Sequence, residues 1–439
     1  MKYKCKRVKK FLGANLMLLC FLSGCTKADG VTAIAETTEE QYIKEVIQGS
    51  EQRTENINKK ELLDEVTLLT EKESKQKIGL EQKDESKQED STFYQEPEVT
   101  LIMVGDMLMH TPINETGVME DGSIDFSHLF TNTRDMIEEA DIAIVNQEVI
   151  LGGEELGISG YPAFNTYYEL GDDLVDVGFD VVLHATNHAL DKGKKGILNC
   201  LSYWEEKHPE IAVLGIHDSQ EEQNEIYVCE ENGIRIAILN YTYGTNGIPL
   251  PEDMPYAVNL MDKEKMAEDI AKAKEVSDFV VVCPHWGTEY VLETTDYQEN
   301  YATFLLEQGV DLVLGTHPHV IEPVEILQDE EGNEMLVYYS LGNYVNCTSS
   351  ETADIGLRML GAMAEVTIAM DDGKDAYIKE YGAEPLVTYV STDRETIAVY
   401  PMDEFTDEMA QSSHTIKYTT DFSKRYCEEL WERVMKTPR

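Results

Sequence analysis

The sequence predicts an α/β fold, and three observations predict it. Composition changes at Pro97, where a stretch rich in Glu, Lys, Gln, Ser and Thr gives way to apolar runs. From there short β-rich apolar runs alternate with segments of helical period, which is the habit of an α/β sheet. Polar clusters follow directly on several of those runs, at the position where ligands bind beyond the carboxyl ends of strands.

The strand candidates are Val99 to Val104, Ile142 to Val145, Phe179 to Leu183, Ile234 to Leu239, Phe279 to Val282, Leu312 to Leu314 and Leu336 to Tyr339. Helical stretches lie between them at Lys192 to Glu206, Asp262 to Val276 and Tyr297 to Glu307. Beyond Asn346 the pattern shifts to alternating strands near Ala362 to Met370, Pro385 to Tyr389 and Ile397 to Tyr400. Asp421 to Met435 reads as a closing amphipathic helix. No internal repeat is visible. A length of 439 residues suits one large domain with appendages. That domain is placed at 97–402, with a C-terminal extension, 403–439, carrying the last helix.

The first ten residues hold Lys2, Lys4, Lys6, Arg7, Lys9 and Lys10, followed by an apolar run from Phe11 to Leu22 and then Ser23-Gly24-Cys25. This is the charged start, short apolar core and small-residue cleavage site of a signal peptide, placed at 1–24. The apolar run falls well short of the roughly 20 residues that a spanning helix needs. Cleavage before Cys25 is similar to the lipobox of bacterial lipoproteins and makes Cys25 the expected lipidation site. Stable anchoring takes two or more acyl chains. The expected location is the outer face of the cytoplasmic membrane, with the membrane itself a partner through Cys25. Residues 25–96 carry too little apolar surface to offset chain entropy and read as a disordered tether, with Leu62, Leu63, Val66 and Leu69 at helical spacing inside it.

Acidic residues outnumber basic ones by 84 to 36, for a formal charge of -48. Such a surface repels nucleic acid, and no basic cluster exists outside the signal. An anionic ligand therefore needs a local site, and a divalent cation is the simplest way to reverse the sign locally. Beyond Cys25 the cysteines are Cys200, Cys229, Cys283, Cys347 and Cys427, an odd set without C-x-x-C spacing. They read as buried thiols, neither a disulfide framework nor a zinc ribbon.

Five polar clusters sit directly after apolar runs: Gly105-Asp106; Asn146-Gln147-Glu148; Thr186-Asn187-His188 with Asp191; His285-Trp286-Gly287-Thr288-Glu289-Tyr290; and Gly315-Thr316-His317-Pro318-His319. Singly each has a plain explanation. A histidine after a strand is ordinarily a satisfied core or surface residue, Gly-Asp is a common turn, and Asn-His can cap a helix. Five in register converge on one sheet edge, and carboxylates, an amide oxygen and imidazoles without thiolate are the donors of a hard-to-borderline divalent metal centre.

The ordered set Gly105-Asp106-Met107-Leu108-Met109-His110, Asn146-Gln147-Glu148, Ala185-Thr186-Asn187-His188-Ala189-Leu190-Asp191, His285 to Tyr290, Gly315 to Val320 and Tyr339-Ser340-Leu341-Gly342-Asn343-Tyr344 resembles the CapA family. These are poly-γ-glutamate capsule biosynthesis proteins related to calcineurin-like metallophosphatases. The resemblance implies a four-layer α/β/β/α sandwich of two mixed sheets flanked by helices, with one or two divalent ions, Mn, Fe or Zn. It implies that Asp106 and His319 bind the first metal, that Glu148 bridges, and that Asn187, His285 and His317 complete the second. Two departures stand out: Thr186 replaces the family's usual second Asn, and the D-x-H pair of the relatives is missing from the first strand, with His110 four residues past Asp106. The second departure implies weaker binding of one metal.

On this reading His188 is the general acid and Asp191, three residues on, orients its ring. Helix N-terminal charge stabilisation is the other role open to Asp191. Glu289, Tyr290 and His110 are expected to line the pocket with Trp286 as a wall, and Gly342-Asn343 to close the sheet edge against the histidine pair. Three functions follow: a metal-dependent envelope enzyme handling poly-γ-glutamate or a related anionic polymer beside capsule synthetase subunits; a non-catalytic partner that grips such a polymer; and a phosphoesterase on an envelope phosphoester.

Overall fold

A computed structural model describes residues 96–348, 351–371 and 375–435. The expected signal peptide, the lipidation site Cys25 and the tether up to residue 95 lie outside the described residues. In chain order the strands are β1 (Glu98–Met107), β2 (Ile142–Asn146), β3 (Val181–Leu183), β4 (Ala212–Leu214), β5 (Val228–Glu231), β6 (Ile234–Thr242) and β7 (Phe279–His285). Then come β8 (Leu312–Leu314), β9 (Val324–Gln328), β10 (Glu334–Tyr338), β11 (Asn343–Val345), β12 (Leu360–Asp371), β13 (Asp375–Val390) and β14 (Ile397–Pro401).

They form two mixed sheets. The first runs β14-β13-β12-β1-β2-β3-β4, with β11 pairing beside the end of β1, and the second runs β5-β6-β7-β8-β10-β9. Strands β1 to β4 are parallel to one another, whereas β12, β13 and β14 return antiparallel. In the second sheet β6, β7, β8 and β10 are parallel, with β5 and β9 antiparallel at the two edges.

The alternation of side chains along the second sheet shows how the layers stack. Ile236, Ile238, Phe279, Val281, Cys283, Leu312, Leu314 and Leu336 join the core shared with the first sheet. Their neighbours Ala237, Leu239, Val280, Val282, Val313 and Val337 form a separate outer cluster. That outer cluster is covered by Met266, Ile270 and Ala273 of the helix Lys263–Val276 and by Ala302, Leu305 and Leu306 of the helix Asp296–Gln308. Both faces of the sheet are thus buried, which is why its strands read as continuous apolar runs. Both helices carry the signals of their ends. Asp262 accepts from the amides of Glu264 and Lys265, and Thr295 with Gln298 makes a capping box.

Some elements differ from the sequence reading. Strand β13 begins ten residues before Pro385, at Asp375; its half-exposed first part carries Asp375, Tyr377, Lys379 and Tyr381 at alternate positions and offers no apolar run to mark it in the sequence. Strands β4, β5 and β9 run along sheet edges and are partly exposed, and β11 is a three-residue strand beside the end of β1, so none of them stands out in the sequence. The segment after 402 contributes Phe405, Phe422, Cys427, Leu430 and Val434 to the main core, the last three from the helix Lys424–Val434. The five cysteines Cys200, Cys229, Cys283, Cys347 and Cys427 are free and buried. Among the described residues no helix is long and apolar enough to cross a membrane.

Candidate metal centre

Each polar cluster lies where a parallel strand ends. Asp106 is the penultimate residue of β1, Glu148 follows β2 by two residues, and Asn187 and His188 follow β3. His285 is the last residue of β7, and His317 and His319 come just after β8. The clusters therefore converge from the carboxyl ends of two facing sheets, not from one sheet edge as the residues alone suggest. Gly105 permits the approach: a Cβ there would lie 2.0 Å from the Gly342 carbonyl oxygen, against which the end of β1 packs. The Asp106 amide donates to that same oxygen at 2.9 Å.

Asp106 is fully buried and well coordinated. Its Oδ1 accepts from Asn146 Nδ2 at 2.8 Å, and its Oδ2 accepts from the His317 amide at 3.1 Å and pairs with His319 Nδ1 at 3.1 Å. Burial would raise this carboxyl, but the hydrogen bond and charge of His319, then His285 and the His317 amide, outweigh it and hold it below the ordinary range. The loop that supplies both histidines is strained, with φ +100° at His317 and +58° at His319. Such backbone persists when its surroundings over-determine it, here through the hydrogen bond that the His317 amide donates to Asp106.

Glu148 is the opposite case. It is 0% exposed, and neither carboxylate oxygen meets a donor. Instead its Oε1 lies 3.7 Å from Nε2 of His285, 3.7 Å from Nε2 of His319 and 4.0 Å from Nε2 of His188. The Nδ1 atoms of all three rings are engaged elsewhere: His285 with Thr316 Oγ1 at 3.0 Å, His319 with Asp106 and Asn343, and His188 with Asp191 at 2.7 Å. Outer partners of this kind fix ring orientation and turn the remaining nitrogen toward the centre. His285 Nε2 also meets Asn187 Oδ1 at 3.0 Å.

A buried carboxylate without donors is strongly unfavourable unless a cation meets it. Three donor groups have ligand atoms within 4.8 Å of one another, two of them containing this carboxylate: Asp106 with Glu148 and His319, Glu148 with His285 and His317, and Glu289 with His317 and His319. The first two share Glu148, which fits a bridging carboxylate between two ions. His317 Nδ1 has no partner, and burial followed by the nearby His285, His319 and His188 charges pushes its pKa well down, leaving the ring neutral and able to ligate. Burial opposes a charge on His319 too, but Glu148 and Asp106 raise it to about 9, so the site's field favours a positive charge there.

Asp191 makes its bonds away from helix amides. Its Oδ2 accepts from the Phe164 amide at 2.7 Å and pairs with His188, while the helix Gly193–Lys207 starts after Lys192 without a side-chain cap. The Phe164 ring stands edge-on to His188 with centroids 4.7 Å apart.

A cavity of about 280 Å³ opens beside the centre, reached by His110, His188, Glu289, Tyr290, His319 and Asn343. Trp286 is not among its walls, which corrects the expectation from sequence. The residue after His285 points to the other face of the sheet, where Trp286 sits wholly buried in the outer cluster and donates to the Tyr339 carbonyl at 2.9 Å. His110 lines the cavity but belongs to none of the donor groups; burial, then His319 and His188, lower its pKa to about 3. Tyr161, Phe164, Asn346 and Arg358 also line the cavity and had no motif to mark them. A larger cavity of about 490 Å³ lies at the β4 edge, lined by Trp204, His217 and Asp269, and contains none of the five clusters.

Two mixed sheets face to face, with carboxylates and histidines gathered at their strand ends, define an α/β sandwich with a candidate metal centre. Within that class, the chain belongs to the bacterial capsule synthesis protein family PGA_cap, whose model matches residues 100–348. It is similar to the PGA biosynthesis protein CapA of Bacillus subtilis (strain 168), 34% identical over 173 residues that cover 39% of this chain and 44% of the relative. It is also similar to the capsule biosynthesis protein CapA of Bacillus anthracis, 26% identical over 256 residues, covering 56% and 59% of the two chains. The chain thus spans about half the length of these curated relatives. Among solved structures, the calcineurin-like phosphoesterase YfkN of Bacillus subtilis overlaps 76% of this chain and 100% of its own at 12% identity and TM-score 0.39. A 5'-nucleotidase precursor from Thermus thermophilus overlaps 76% of this chain and 58% of its own, at 13% identity and TM-score 0.40. Neither likeness says what this chain acts on.

Proposed function

We propose that this member of the capsule synthesis family is a metal-dependent hydrolase or transferase of the cell envelope that works on an anionic polymer such as poly-γ-glutamate. On this reading Cys25 carries lipid and tethers the body to the outer face of the cytoplasmic membrane, beside capsule synthetase subunits. The observation that carries the catalytic reading is Glu148, a wholly buried carboxylate with no hydrogen-bond donor on either oxygen and imidazole nitrogens of His285 and His319 at 3.7 Å. The printed names of the two relatives, PGA biosynthesis and capsule biosynthesis, support an envelope polymer as the target.

Asp106, Glu148 and His319 would hold one divalent ion, and Glu148, Asn187, His285 and His317 a second. Ions bound there supply an activated water and neutralise charge on the centre under attack. His188 is the residue placed to handle the proton. Asp191 holds its Nδ1, leaving Nε2 toward the centre, so the leaving group takes its proton from that atom. Phe164 packs edge-on against the ring.

The experiment is a hydrolysis screen of the full chain reconstituted with Mn, Fe or Zn, using poly-γ-glutamate, peptides and phosphoesters. Turnover of the polymer that falls by about a hundredfold or more in His188→Ala supports the proposal. Turnover of none of them, with polymer bound but uncut, contradicts the catalytic reading and leaves a polymer-gripping partner.

A further inference from the structure

The cavity beside the centre carries one guanidinium, in a chain whose formal charge is -48. Arg358 belongs to the 3-10 turn Ile355–Met359, outside the residues matched by the family model, and is only 5% exposed. The Tyr290 ring lies 3.7 Å from its guanidinium carbon and covers one face of the group. Stacking of that kind leaves the in-plane N–H edges to meet acceptors. Nη2 donates to Asp354 at 2.8 Å and to Thr352 at 3.4 Å, and Nη1 to Thr348 at 3.5 Å, but the buried Nε has no partner.

Asn346 stands on the same cavity, 1% exposed, and both its Nδ2 and Oδ1 are without partners. An amide with a free donor and a free acceptor matches a ligand that offers both, as another amide does. The turn is also registered to the centre. Asn343 Nδ2 donates to the Arg358 carbonyl and to the His319 carbonyl, each at 3.0 Å, while its Oδ1 pairs with His319 Nδ1. Tyr290 is fixed from the other side, its amide donating to the Pro318 carbonyl at 2.8 Å and its ring centroid 6.0 Å from that of His319. Glu289, which is exposed, is an acidic residue on the same cavity.

From this we infer that Arg358 and Asn346 form a specificity subsite that binds an anionic oxygen group, with an adjoining neutral polar group, on the substrate held at the metal centre. The inference rests on the reading of that cluster as the reacting centre. A carboxylate and a phosphate share the chemistry that Arg358 recognises, and the amide of Asn346 favours a ligand whose carboxylate neighbours an amide bond.

Calorimetric titration of the full chain with γ-glutamyl-glutamate, with its fully amidated neutral counterpart and with inorganic phosphate tests this, run in EDTA and again with Mn. Arg358→Gln is expected to weaken the dipeptide by about tenfold or more and leave the neutral counterpart unchanged. Preference for phosphate over the dipeptide would assign the anion as phosphate and still support the subsite. If Arg358→Gln melts early, Arg358→Lys, which keeps the charge and loses the flat edge, should weaken the dipeptide as well. Unchanged affinity in both variants, or no binding of either anion by the wild type, overturns the subsite. Metal uptake is followed in parallel and should be equal in wild type and Arg358→Gln. Failure of uptake in both counts against the metal centre, while the Arg358 dependence read in EDTA stands apart from it.

Discussion

Two regions of the molecule bury a carboxylate whose oxygens are not all met by donors, and they solve the problem differently. Glu322, three residues after His319, is 0% exposed, with Gln298 donating to one oxygen and nothing to the other. Burial pushes its pKa up to about 8, and no cationic partner opposes that rise. Glu148 is as deeply buried but has no donor at all, and ring nitrogens of His285, His319 and His188 stand around it at 3.7 to 4.0 Å. Burial alone therefore marks nothing. A carboxyl among apolar and amide groups keeps its proton, whereas one ringed by oriented imidazoles stands where it could share a cation.

The largest effect separating the two regions is expected from His317→Ala, which removes a donor from the second group. It should lower divalent-metal affinity by about a hundredfold, read by competition with a chelating dye. Next comes pH. Glu322 has a folded pKa above its unfolded value of 4.5, so the native state binds more protons and this residue's contribution to stability declines from about pH 4.5 to about pH 8. Glu322→Gln should remove that decline, worth on the order of a few kcal/mol, in melts of mutant and wild type compared at pH 5 and pH 8. An unchanged difference between the two pH values would mean that Glu322 is ionised like any surface acid.

Gly105→Ala is expected to cost about 2 kcal/mol or more and to loosen the centre, because its Cβ meets the Gly342 carbonyl that anchors Asp106. Chemical denaturation together with metal uptake would show both losses, while a loss of stability alone would separate β1 packing from the site. The smallest change is Thr316→Val, which takes the partner from His285 Nδ1. About a tenfold loss of metal affinity is expected, with stability nearly unchanged.

The strands buried on both faces are the most legible part of the sequence, and β8 begins and ends at the residues the apolar run names. The first half of β13 is hidden because it is half-exposed and offers no apolar run. The centre is legible because strand ends in an α/β fold are where ligands gather, so five short clusters after five runs carry a shared meaning. Trp286 is misplaced by the sequence because adjacency to His285 suggests nearness, whereas successive side chains on a strand point to opposite faces. Arg358 and Asn346 could not be found that way, since long-range packing of a 3-10 turn and a strand end brings them to the cavity and no spacing records it.

Metal uptake by the full chain, measured as equivalents of Mn, Fe and Zn by mass spectrometry in wild type, Glu148→Gln and Glu322→Gln, tests the division between the two carboxylates most directly. One or two equivalents in wild type and in Glu322→Gln, with uptake lost in Glu148→Gln, is the predicted result. Equal uptake in Glu148→Gln and wild type, or none in any of the three, would contradict it.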